Sequence, residues 1–371
     1  MTLAFDITAR HGAARTGVIR TARGVVRTPC FMPVGTRGAV RHLSSADLED
    51  LGAEVVLGNT YHLMLKPGAD VIAQQGGLHR FQDWSGHVLT DSGGYQIFSL
   101  DPGGNVKVDD DGVTFRSTYD GGTHRLTPES AVEIQTAFGS DIQMVLDVCA
   151  PLPSSPEVLR VAVDRTAGWA ARARAAFLAQ ARPSLNQFGI VQGGTDVALR
   201  IESAERTRAV GFDGYAIGGL SVGESREAML STLAAVLPSL PDDQPRYLMG
   251  LGDPIGIVEA VALGIDLFDC VLPTRFARHG TILSGAGRYN LKRAENATDD
   301  APLDAGCGCP VCARWSRAYL RHLLVVDEPT APRLLTLHNV WWTLHLVEEV
   351  RAAIEAGTLN EVRSRMAAAY G

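Results

Sequence analysis

The sequence lacks the features of a membrane-spanning or secreted protein. No apolar run approaches the ~20 residues that a helix needs to cross a bilayer. The opening residues, Met1–Asp6, contain no basic leader followed by an apolar core. We therefore expect a cytoplasmic protein. With 371 residues, 46% of them hydrophobic and 20% charged, the chain is long enough for one large α/β domain.

The sequence has no excess of positive charge. Its net charge of −7 argues against a general attraction for nucleic acid, so any contact with a polyanion must come from a local basic patch. Basic residues do gather in one region near the carboxyl end of the chain. This region could simply be a solvated face, or it could contact phosphates. Its members are Arg275, Arg278, Arg288, Lys292, Arg293, Arg314, Arg317 and Arg321.

Cysteine is also scarce. Three of the six cysteines lie within residues 307–312 and the others are scattered. This distribution argues against a disulfide framework and favours a metal site in a reducing compartment. Three thiolates in a C-x-C-x-x-C pattern and one histidine complete a closed tetrahedron, which suits a structural Zn²⁺. The expected ligands are Cys307, Cys309, Cys312 and His338. Spacing alone leaves His322 and His345 as competitors for the fourth position.

Eight short apolar runs recur along the chain, and each is closed by glycine or a polar residue. Most are separated by helical patterns such as Thr127–Gln135, which has a proline just inside its start. Eight such alternations predict an α/β fold, a closed (β/α)8 TIM barrel. No G-x-G-x-x-G opens a first helix, which weakens the alternative of an open doubly wound sheet. The runs are Cys30–Val34, Glu54–Leu57, Val88–Thr90, Ile142–Leu146, Phe188–Val191, Tyr215–Ile217, Tyr247–Met249 and Leu267–Phe268.

Three segments fall outside this alternation. Residues 3–28 alternate in polarity and predict an antiparallel N-terminal hairpin, and residues 101–125 predict a second hairpin after the third barrel strand. After the eighth strand the alternation stops. We expect residues 1–275 and 340–371 to form the barrel with its N-terminal cap, and residues 276–339 to form a zinc-binding subdomain inserted before the last barrel helix.

Aspartates terminate three of the predicted strands. Asp91, Asp147 and Asp269 would meet in one cavity, because the carboxyl ends of barrel strands build the active site. Two carboxylates can cleave a glycosidic bond, one attacking the anomeric carbon and the other moving protons. Asp269 is the candidate nucleophile. The simpler alternative is that Asp269 caps the next helix or pairs with Arg275.

Glycine pairs stand beside these acids at three strand ends. Gly93–Gly94, Gly193–Gly194 and Gly218–Gly219 would let backbone groups approach a ligand, although each pair alone could merely permit a tight turn. Tyr95 and Met249 could stack on both faces of an aromatic ring. Together these features favour a flat, polar ligand such as a nucleobase.

Five sequence blocks occur together in a fixed order. They are Thr90–Gln96, Val191–Gly194, Gly218–Glu224, Phe268–Arg275 and the C-x-C-x-x-C set with its histidine. This combination resembles the bacterial-type tRNA-guanine transglycosylases, and the resemblance runs from about residue 5 to the last residue. It implies a pentosyltransferase that acts on tRNA, contains one structural Zn²⁺ per subunit and forms homodimers.

The resemblance further implies a double displacement. Asp269 would attack the ribose of the guanosine at the anticodon wobble position, and guanine would leave a covalent RNA–enzyme ester. Asp91 would act as the general acid/base, and the incoming base would be 7-aminomethyl-7-deazaguanine, the queuosine precursor. The other implied contacts to the base come from Asp147, Gln192, Gly219, Leu220, Tyr95, Met249 and Ser92. Arg275 and Arg278 would contact the anticodon loop.

Details of the sequence refine this resemblance. Cys149 and Val222 match the pattern of members that use the aminomethyl base, whereas Phe276 and His279 replace smaller or amide residues beside the RNA contacts. A further expectation concerns the dimer contact. It would come from Trp315, Tyr319 and His322, which recur at i, i+4 and i+7, although burial inside the subdomain explains such a stripe equally well.

Two other functions compete with this interpretation. A metal-dependent barrel hydrolase would need histidine and carboxylate ligands at the strand ends, and His62 is the only histidine at a predicted strand end. A non-catalytic RNA-binding subunit of the same fold is expected to lack the nucleophile or the acid/base. Asp269 and Asp91 are both present, which disfavours this alternative.

Overall fold

The computed structural model describes residues 3–100 and 106–371. Its strands in chain order are β1 Ala4–His11, β2 Ala14–Arg20, β3 Val25–Thr28, β4 Cys30–Gly35, β5 Val55–Gly58, β6 His87–Thr90, β7 Lys107–Asp109, β8 Gly112–Arg116, β9 Thr123–Leu126, β10 Ile142–Met144, β11 Asn186–Val191, β12 Gly214–Ile217, β13 Arg246–Leu248, β14 Leu267–Cys270, β15 Thr281–Ile282 and β16 Tyr289–Asn290.

The helices alternate with the strands along most of the chain. They are α1 Ser45–Asp50, α2 Thr60–Leu63, α3 Ala69–Gln74, α4 Leu78–Gln82, α5 Gly94–Ser99, α6 Pro128–Phe138, α7 Pro156–Ala179, α8 Val197–Val210, α9 Arg226–Val236, α10 Pro254–Ala262, α11 Leu272–Arg278, α12 Arg317–Val325, α13 Thr330–Ala356 and α14 Leu359–Tyr370. None of these helices combines the length and the apolar character needed to cross a membrane.

Eight parallel strands close into a barrel in the order β4, β5, β6, β10, β11, β12, β13 and β14, as the sequence predicts. Closure comes from the pairing of β14 with β4, in which Phe268 lies opposite Phe31 and Asp269 lies opposite Met32. Phe31, Met32 and Phe268 are at most 1% exposed. The apolar runs are therefore continuous because these strands are covered on both faces.

Polar side chains fix where the helices after the strands begin. Asp196 caps α8 by accepting a hydrogen bond from the Leu199 N–H, and Asp253 caps α10 by accepting one from the Gly256 N–H. Thr127 and Ser130 form a reciprocal capping box at the start of α6, directly before the proline expected there. The connections from β11 to α8 and from β13 to α10 are five residues each, residues 192–196 and 249–253.

The amino-terminal segment forms a three-stranded antiparallel sheet, β1–β2–β3, which extends the predicted hairpin by one strand. A buried ion pair attaches it to the barrel. Arg15 donates to both carboxylate oxygens of Asp266, over 2.9 and 2.6 Å, and both side chains are fully buried. Asp266 immediately precedes β14, so the sheet is attached at the amino end of the barrel and leaves the carboxyl end free.

A second antiparallel sheet, β7–β8–β9, follows the third barrel strand. The sequence predicts a hairpin over residues 101–125, and the structure has three strands between Lys107 and Leu126. Residues 101–105 of that prediction lie outside the described residues.

The segment after β14 contains β15, β16 and α12 before the long helix α13. Helix α13 packs against both α12 and the barrel strand β4, and it crosses the predicted domain boundary at residue 340 without interruption. The division into a barrel and a subdomain at residues 276–339 therefore stays a prediction. In the structure a single helix joins the two parts.

Candidate active site

The three strand-end aspartates meet in one cavity at the carboxyl end of the barrel. Asp91 follows β6, Asp147 lies three residues after β10, and Asp269 lies within β14; all three line a cavity of about 390 Å³, a volume typical of small-molecule sites. The other expected residues that line it are Ser92, Tyr95, Gln192, Gly219, Leu220, Met249 and Arg275, together with Cys149 and Val222.

Asp269 is held through one of its two carboxylate oxygens. Oδ1 accepts hydrogen bonds from the Tyr247 hydroxyl, at 2.5 Å, and from the Gly250 N–H, at 2.7 Å. Burial raises the pKa of Asp269, and these two bonds oppose that rise. With Oδ1 occupied, Oδ2 is the oxygen available to a ligand in the cavity. A carboxylate fixed in this way is preorganised to attack a carbon that a bound ligand brings within reach of Oδ2.

The Asp91 carboxylate accepts hydrogen bonds from four donors, and the residue is only 7% exposed. The backbone N–H groups of Thr60 and Gly93 bond Oδ1 at 2.8 and 3.1 Å, while the side-chain amides of Gln96 and Asn59 bond Oδ2. Burial outweighs these bonds and raises the pKa of Asp91 to about 6. A carboxyl with a pKa close to neutral can both accept and donate a proton at physiological pH.

Asp147 and Gln192 form a polar pair deeper in the cavity wall. The Gln192 amide nitrogen donates to Asp147 Oδ2 at 2.6 Å, and the Ser92 hydroxyl lies 3.5 Å from Oδ1. Burial and the neighbouring charge of Asp91 raise the pKa of Asp147 to about 6. The pair presents both an acceptor and an amide, which is the pattern needed to read the edge of a polar ring.

One glycine pair behaves as the sequence predicts and another does not. Gly219 has φ of +63°, and a Cβ there would lie 2.3 Å from the Gln192 Oε1, so only glycine fits this wall of the cavity. Gly193 and Gly194 do not line the cavity, which corrects the expectation that all three pairs would. A Cβ on Gly193 would lie 3.0 Å from the Arg200 backbone nitrogen, so this pair allows α8 to approach β11 closely.

Tyr95 and Met249 stand at the cavity mouth. Tyr95 lies in the first turn of α5 and is 52% exposed, whereas Met249 follows β13 and is half-buried. Both line the cavity, as expected for residues that stack on a flat ligand.

Four residues that hold the aspartates were not identified from the sequence. Asn59 and Gln96 bond Asp91, and Tyr247 and Gly250 bond Asp269. Asn59 does carry a signal, because it follows an apolar run in the same way as the acids do. Tyr247 carries none, because an aromatic residue inside an apolar strand is indistinguishable from core.

The basic patch is only partly available to a ligand. Arg275 is exposed and lines the cavity, whereas Arg278 lies outside the lining, beside Arg275 and Arg41. Arg317 is instead bonded to Asp299 at 2.9 Å, a structural role. Of the two unusual neighbours of Arg275, Phe276 packs under the Arg288 guanidinium at 5.9 Å and His279 is exposed.

Of the three residues expected at the dimer contact, only two lie on a helix. Trp315 precedes the N-cap of α12 and is partly buried, while Tyr319 and His322 are exposed on that helix.

The four expected metal ligands lie together. The sulfurs of Cys307, Cys309 and Cys312 are 3.6, 3.4 and 3.3 Å from His338 Nδ1, and all four ligand atoms lie within 4.8 Å of one another. The other ring nitrogen of His338 lies 2.8 Å from the Leu283 carbonyl oxygen, the arrangement in which Nε2–H donates and Nδ1 keeps its lone pair for a metal. This cluster can bind a metal ion.

The competing histidines lie elsewhere. His345 stacks on Trp341 with ring centroids 3.5 Å apart, and His322 is exposed on α12. His62, the histidine that a metal-dependent hydrolase would need, bonds the Tyr119 hydroxyl at 3.0 Å and does not line the cavity. The described residues of the cavity therefore supply no histidine ligand for a catalytic metal.

The raised pKa of Asp147 predicts that this side chain weakens the fold at neutral pH. Its folded-state pKa of about 6 lies above the ordinary value of 3.8, so the folded state binds more protons and stability falls as pH rises through that window. We expect Asp147→Asn to raise the free energy of unfolding at pH 8 by roughly 1–3 kcal/mol. The gain should vanish near pH 4.

Urea unfolding at both pH values measures this effect. Asp266→Asn is the matched control, because Asp266 is equally buried but paired with Arg15. Its substitution leaves a buried guanidinium unpaired, so it should destabilise the fold at pH 8. A loss of stability at pH 8 in Asp147→Asn would contradict the raised pKa of Asp147 in the folded protein.

Comparisons with known proteins identify relatives over nearly the whole chain. Residues 10–371 match the family model described as TGT: Queuine tRNA-ribosyltransferase. Among similar proteins with the name Queuine tRNA-ribosyltransferase, that of Symbiobacterium thermophilum is 51% identical over 352 residues, covering 95% of this chain and 87% of the relative. That of Nitratidesulfovibrio vulgaris is 49% identical over 366 residues, covering 99% and 97%. That of Gluconacetobacter diazotrophicus is 50% identical over 352 residues, covering 95% and 90%.

Proposed function

Because the chain belongs to the queuine tRNA-ribosyltransferase family, and is thus a pentosyltransferase of the tRNA-guanine transglycosylase type, we propose a specific reaction for its cavity. The enzyme replaces guanine at the wobble position of a tRNA anticodon with 7-aminomethyl-7-deazaguanine. The exchange proceeds through a covalent ester between Asp269 and the ribose.

The first displacement forms that ester. Asp269 Oδ2 attacks C1′ of the wobble nucleotide as the bond from C1′ to N9 of guanine breaks, and the electron pair of that bond leaves with the base. Tyr247 and Gly250 support this role because both bond Oδ1 and so orient the second oxygen. Guanine takes up a proton from the Asp91 carboxyl group and departs, which leaves the RNA joined to the protein and Asp91 as the carboxylate.

The second displacement uses Asp91 as the base. The ring N–H of the incoming base gives its proton to the Asp91 carboxylate while its nitrogen attacks C1′, and the ester bond breaks to restore the Asp269 carboxylate. The pKa of about 6 supports this role, because at pH 7 most Asp91 side chains are ionised yet accept a proton readily. One glycosidic bond replaces another, so the exchange needs no nucleoside triphosphate.

The purine is read at its edge and on its faces. We assign its hydrogen-bonding edge to Asp147 and Gln192, with Ser92 beside Asp147 and with the Gly219 N–H and Leu220 carbonyl completing the contacts. Tyr95 and Met249 cover the two faces. The lining position of Cys149 and Val222 supports the choice of the aminomethyl base.

The target nucleotide must leave the anticodon stack to reach this cavity, as in other base-modifying enzymes. We propose that Arg275 and Arg278 on α11 hold the backbone of the anticodon loop. The exposure of Arg275 at the cavity edge supports this role. The net charge of −7 means that such local contacts, rather than the whole surface, attract RNA.

The convergence of Asp91, Asp147 and Asp269 on one cavity carries this proposal. Its test is incubation of the protein with radiolabelled guanine and unmodified tRNA that has guanosine at the wobble position. Label should enter the RNA, and added 7-aminomethyl-7-deazaguanine should block that entry. A tRNA with adenosine at the same position is the control. Absence of label from the guanosine-containing tRNA would overturn the proposal.

We further propose that the cluster of three cysteines and His338 holds one structural Zn²⁺ per subunit. The donor set supports zinc, because three sulfurs and one nitrogen fill a tetrahedron and leave no open position. Such an ion would link the turn at Cys307–Cys312 to α13, and α13 packs on the barrel strand β4.

Loss of the metal should therefore destabilise the protein. Cys309→Ser should reduce the zinc content, measured by mass spectrometry of the metal, from one ion per chain to a small fraction. The midpoint of thermal unfolding should fall by roughly 5 °C or more. His345→Ala is the control and should retain both values. A Cys309→Ser protein with a full zinc complement would contradict the ligand assignment.

We also infer a homodimer and a cytoplasmic location. The tRNA substrate of the family supports the location, as does the absence of any disulfide among the six cysteines, all of which lie in the described residues. The exposure of Tyr319 and His322 on α12 leaves them available for a dimer contact. Light scattering at micromolar concentration should give the mass of two chains, and a monodisperse monomer would oppose this inference.

A further inference from the structure

A buried arginine stands directly behind the wall of the cavity. Arg200, in the first turn of α8, is fully buried and does not line the cavity. In the described part of the chain it forms no ion pair with a carboxylate. Burying a guanidinium without an acid is unfavourable unless its N–H groups are satisfied by other acceptors. The acceptors that this side chain uses therefore indicate what it does.

Backbone carbonyls satisfy the guanidinium. Its Nε donates to the Gly194 carbonyl at 2.7 Å and its Nη1 to the Val191 carbonyl at 3.0 Å, which fixes it to the end of β11. Nη1 also donates to the Gly218 carbonyl at 2.7 Å, and Nη2 donates to the Gly219 carbonyl at 3.0 Å. One side chain therefore joins the ends of two neighbouring strands, β11 and β12.

The bonds to Gly218 and Gly219 determine where the adjacent N–H groups point. In a planar trans peptide the N–H is directed opposite to the carbonyl. Because both carbonyls point at Arg200, behind the wall, the N–H groups of Gly219 and Leu220 point away from it. In agreement, the Gly219 N–H faces the side chain of Cys149, a residue of the cavity lining.

The following segment is held from its other side. Glu224 accepts hydrogen bonds from the Ser221 and Val222 N–H groups, the latter at 3.1 Å. Residues 218–222 are therefore fixed by one cation through their first carbonyls and by one anion through their last amides. Of these contacts, only those of Arg200 hold the first two peptide groups, Gly218–Gly219 and Gly219–Leu220.

We propose that Arg200 is a positioning residue that directs the N–H groups of Gly219 and Leu220 at the six-position oxygen of the bound purine. This inference rests on the proposed function, because it requires a purine in the cavity. Arg200 itself does not touch the base. Its positive charge lies behind the two aligned peptides, where it strengthens them as donors to an oxygen that gains negative charge when guanine leaves.

Equilibrium dialysis with radiolabelled guanine, displaced by unlabelled competitors, tests the proposal. Two analogues separate the two ends of the purine edge. In 6-thioguanine a weakly accepting sulfur replaces the six-position oxygen. Hypoxanthine keeps that oxygen and lacks the two-position amino group, which we place at the Asp147 carboxylate. The ratio of two dissociation constants measured on one sample is independent of the fraction of protein that is folded.

In the wild type, guanine should bind more tightly than 6-thioguanine. In Arg200→Met, the guanine affinity should fall by roughly 10- to 100-fold, the loss expected for charge-assisted hydrogen bonds. The affinity for 6-thioguanine should change by less than about 3-fold, since it gains little from these donors. The ratio of the dissociation constants for guanine and hypoxanthine should stay as in the wild type, because Asp147 is unchanged.

Matched variants keep the test decisive. Arg246→Met removes another buried arginine, at the amino end of β13, and should change neither ratio. If Arg200→Met does not fold, Arg200→Lys replaces it, because one ammonium cannot span the four carbonyls and should lower the guanine preference in the same direction. An unchanged ratio of guanine to 6-thioguanine in a folded Arg200 variant would overturn the proposal. Failure of the wild type to bind guanine would instead overturn the proposed function.

Discussion

Asp269→Asn eliminates the incorporation of labelled guanine into tRNA, with an expected fall on the order of 10⁴-fold or more, the scale seen when a covalent nucleophile is removed. The amide is nearly the same size and can still accept hydrogen bonds from Tyr247 and Gly250, so the cavity keeps its shape. It cannot form the ester with ribose. The exchange assay with radiolabelled guanine measures the loss, and thermal unfolding reports that the fold persists.

The control for this variant is on the same stretch of chain. Asp266→Asn changes a buried aspartate three residues earlier, at the opposite end of the barrel, where it pairs with Arg15. Asp266→Asn should lower stability but retain the turnover of the folded enzyme. Asp269→Asn should keep the fold and lose turnover. Substantial exchange by Asp269→Asn would refute its assignment as the nucleophile.

Asp91→Ala should also lower the rate of exchange by roughly 10²- to 10⁴-fold, the range of general acid–base catalysis. The incoming base then has no group to accept its proton. The pH profile offers a second readout, because removal of the Asp91 charge lowers the pKa of Asp147 from about 6. The acid limb of the residual activity should therefore move to lower pH. Its apparent pKa belongs to the remaining carboxylates together and not to one residue.

A matched variant separates this effect from general damage. Asp141 is a buried aspartate at the amino end of β10, where it bonds Arg23 and His79. Asp141→Asn should weaken the fold and leave the pH profile of the folded enzyme unchanged. Wild-type turnover in Asp91→Ala would remove Asp91 from the mechanism.

The barrel and its cavity could be predicted because strand ends are marked in the sequence. A strand buried on both faces reads as an apolar run, and the first polar residue after it marks the carboxyl end. Once eight such ends close into a ring, Asp91, Asp147 and Asp269 must meet, whatever the details of packing. The same reasoning could not find Tyr247, whose hydroxyl reaches Asp269 only because of how β13 pairs with β14.

The metal cluster shows what spacing can and cannot decide. The C-x-C-x-x-C pattern brings three sulfurs together through local chain geometry, but the fourth ligand depends on helix α13. His338 and His345 are seven residues apart and share one helix face, so periodicity cannot choose between them. They lie about 10 Å apart along the axis at 1.5 Å per residue, and the packing of α13 brings only His338 to the sulfurs.

The glycines and Arg200 show a second limit. Glycine pairs at strand ends look alike in sequence, yet Gly218–Gly219 line the cavity whereas Gly193–Gly194 make room for α8. Arg200 follows a cap in an ordinary amphipathic helix, where a basic residue is usually solvated. Its burial against four carbonyls is a consequence of tertiary packing, which no local pattern encodes.

The central claim is that Asp269 bonds covalently to the ribose of the wobble nucleotide, and mass spectrometry of a trapped complex tests it most directly. The protein is incubated with tRNA and the released guanine is removed, then the complex is denatured and digested with ribonuclease and trypsin. We expect a ribose-containing adduct on the peptide Tyr247–Arg275, located by fragmentation at Asp269 and absent from Asp269→Asn. Exchange-competent protein with no adduct, or with the adduct on another residue, would contradict it.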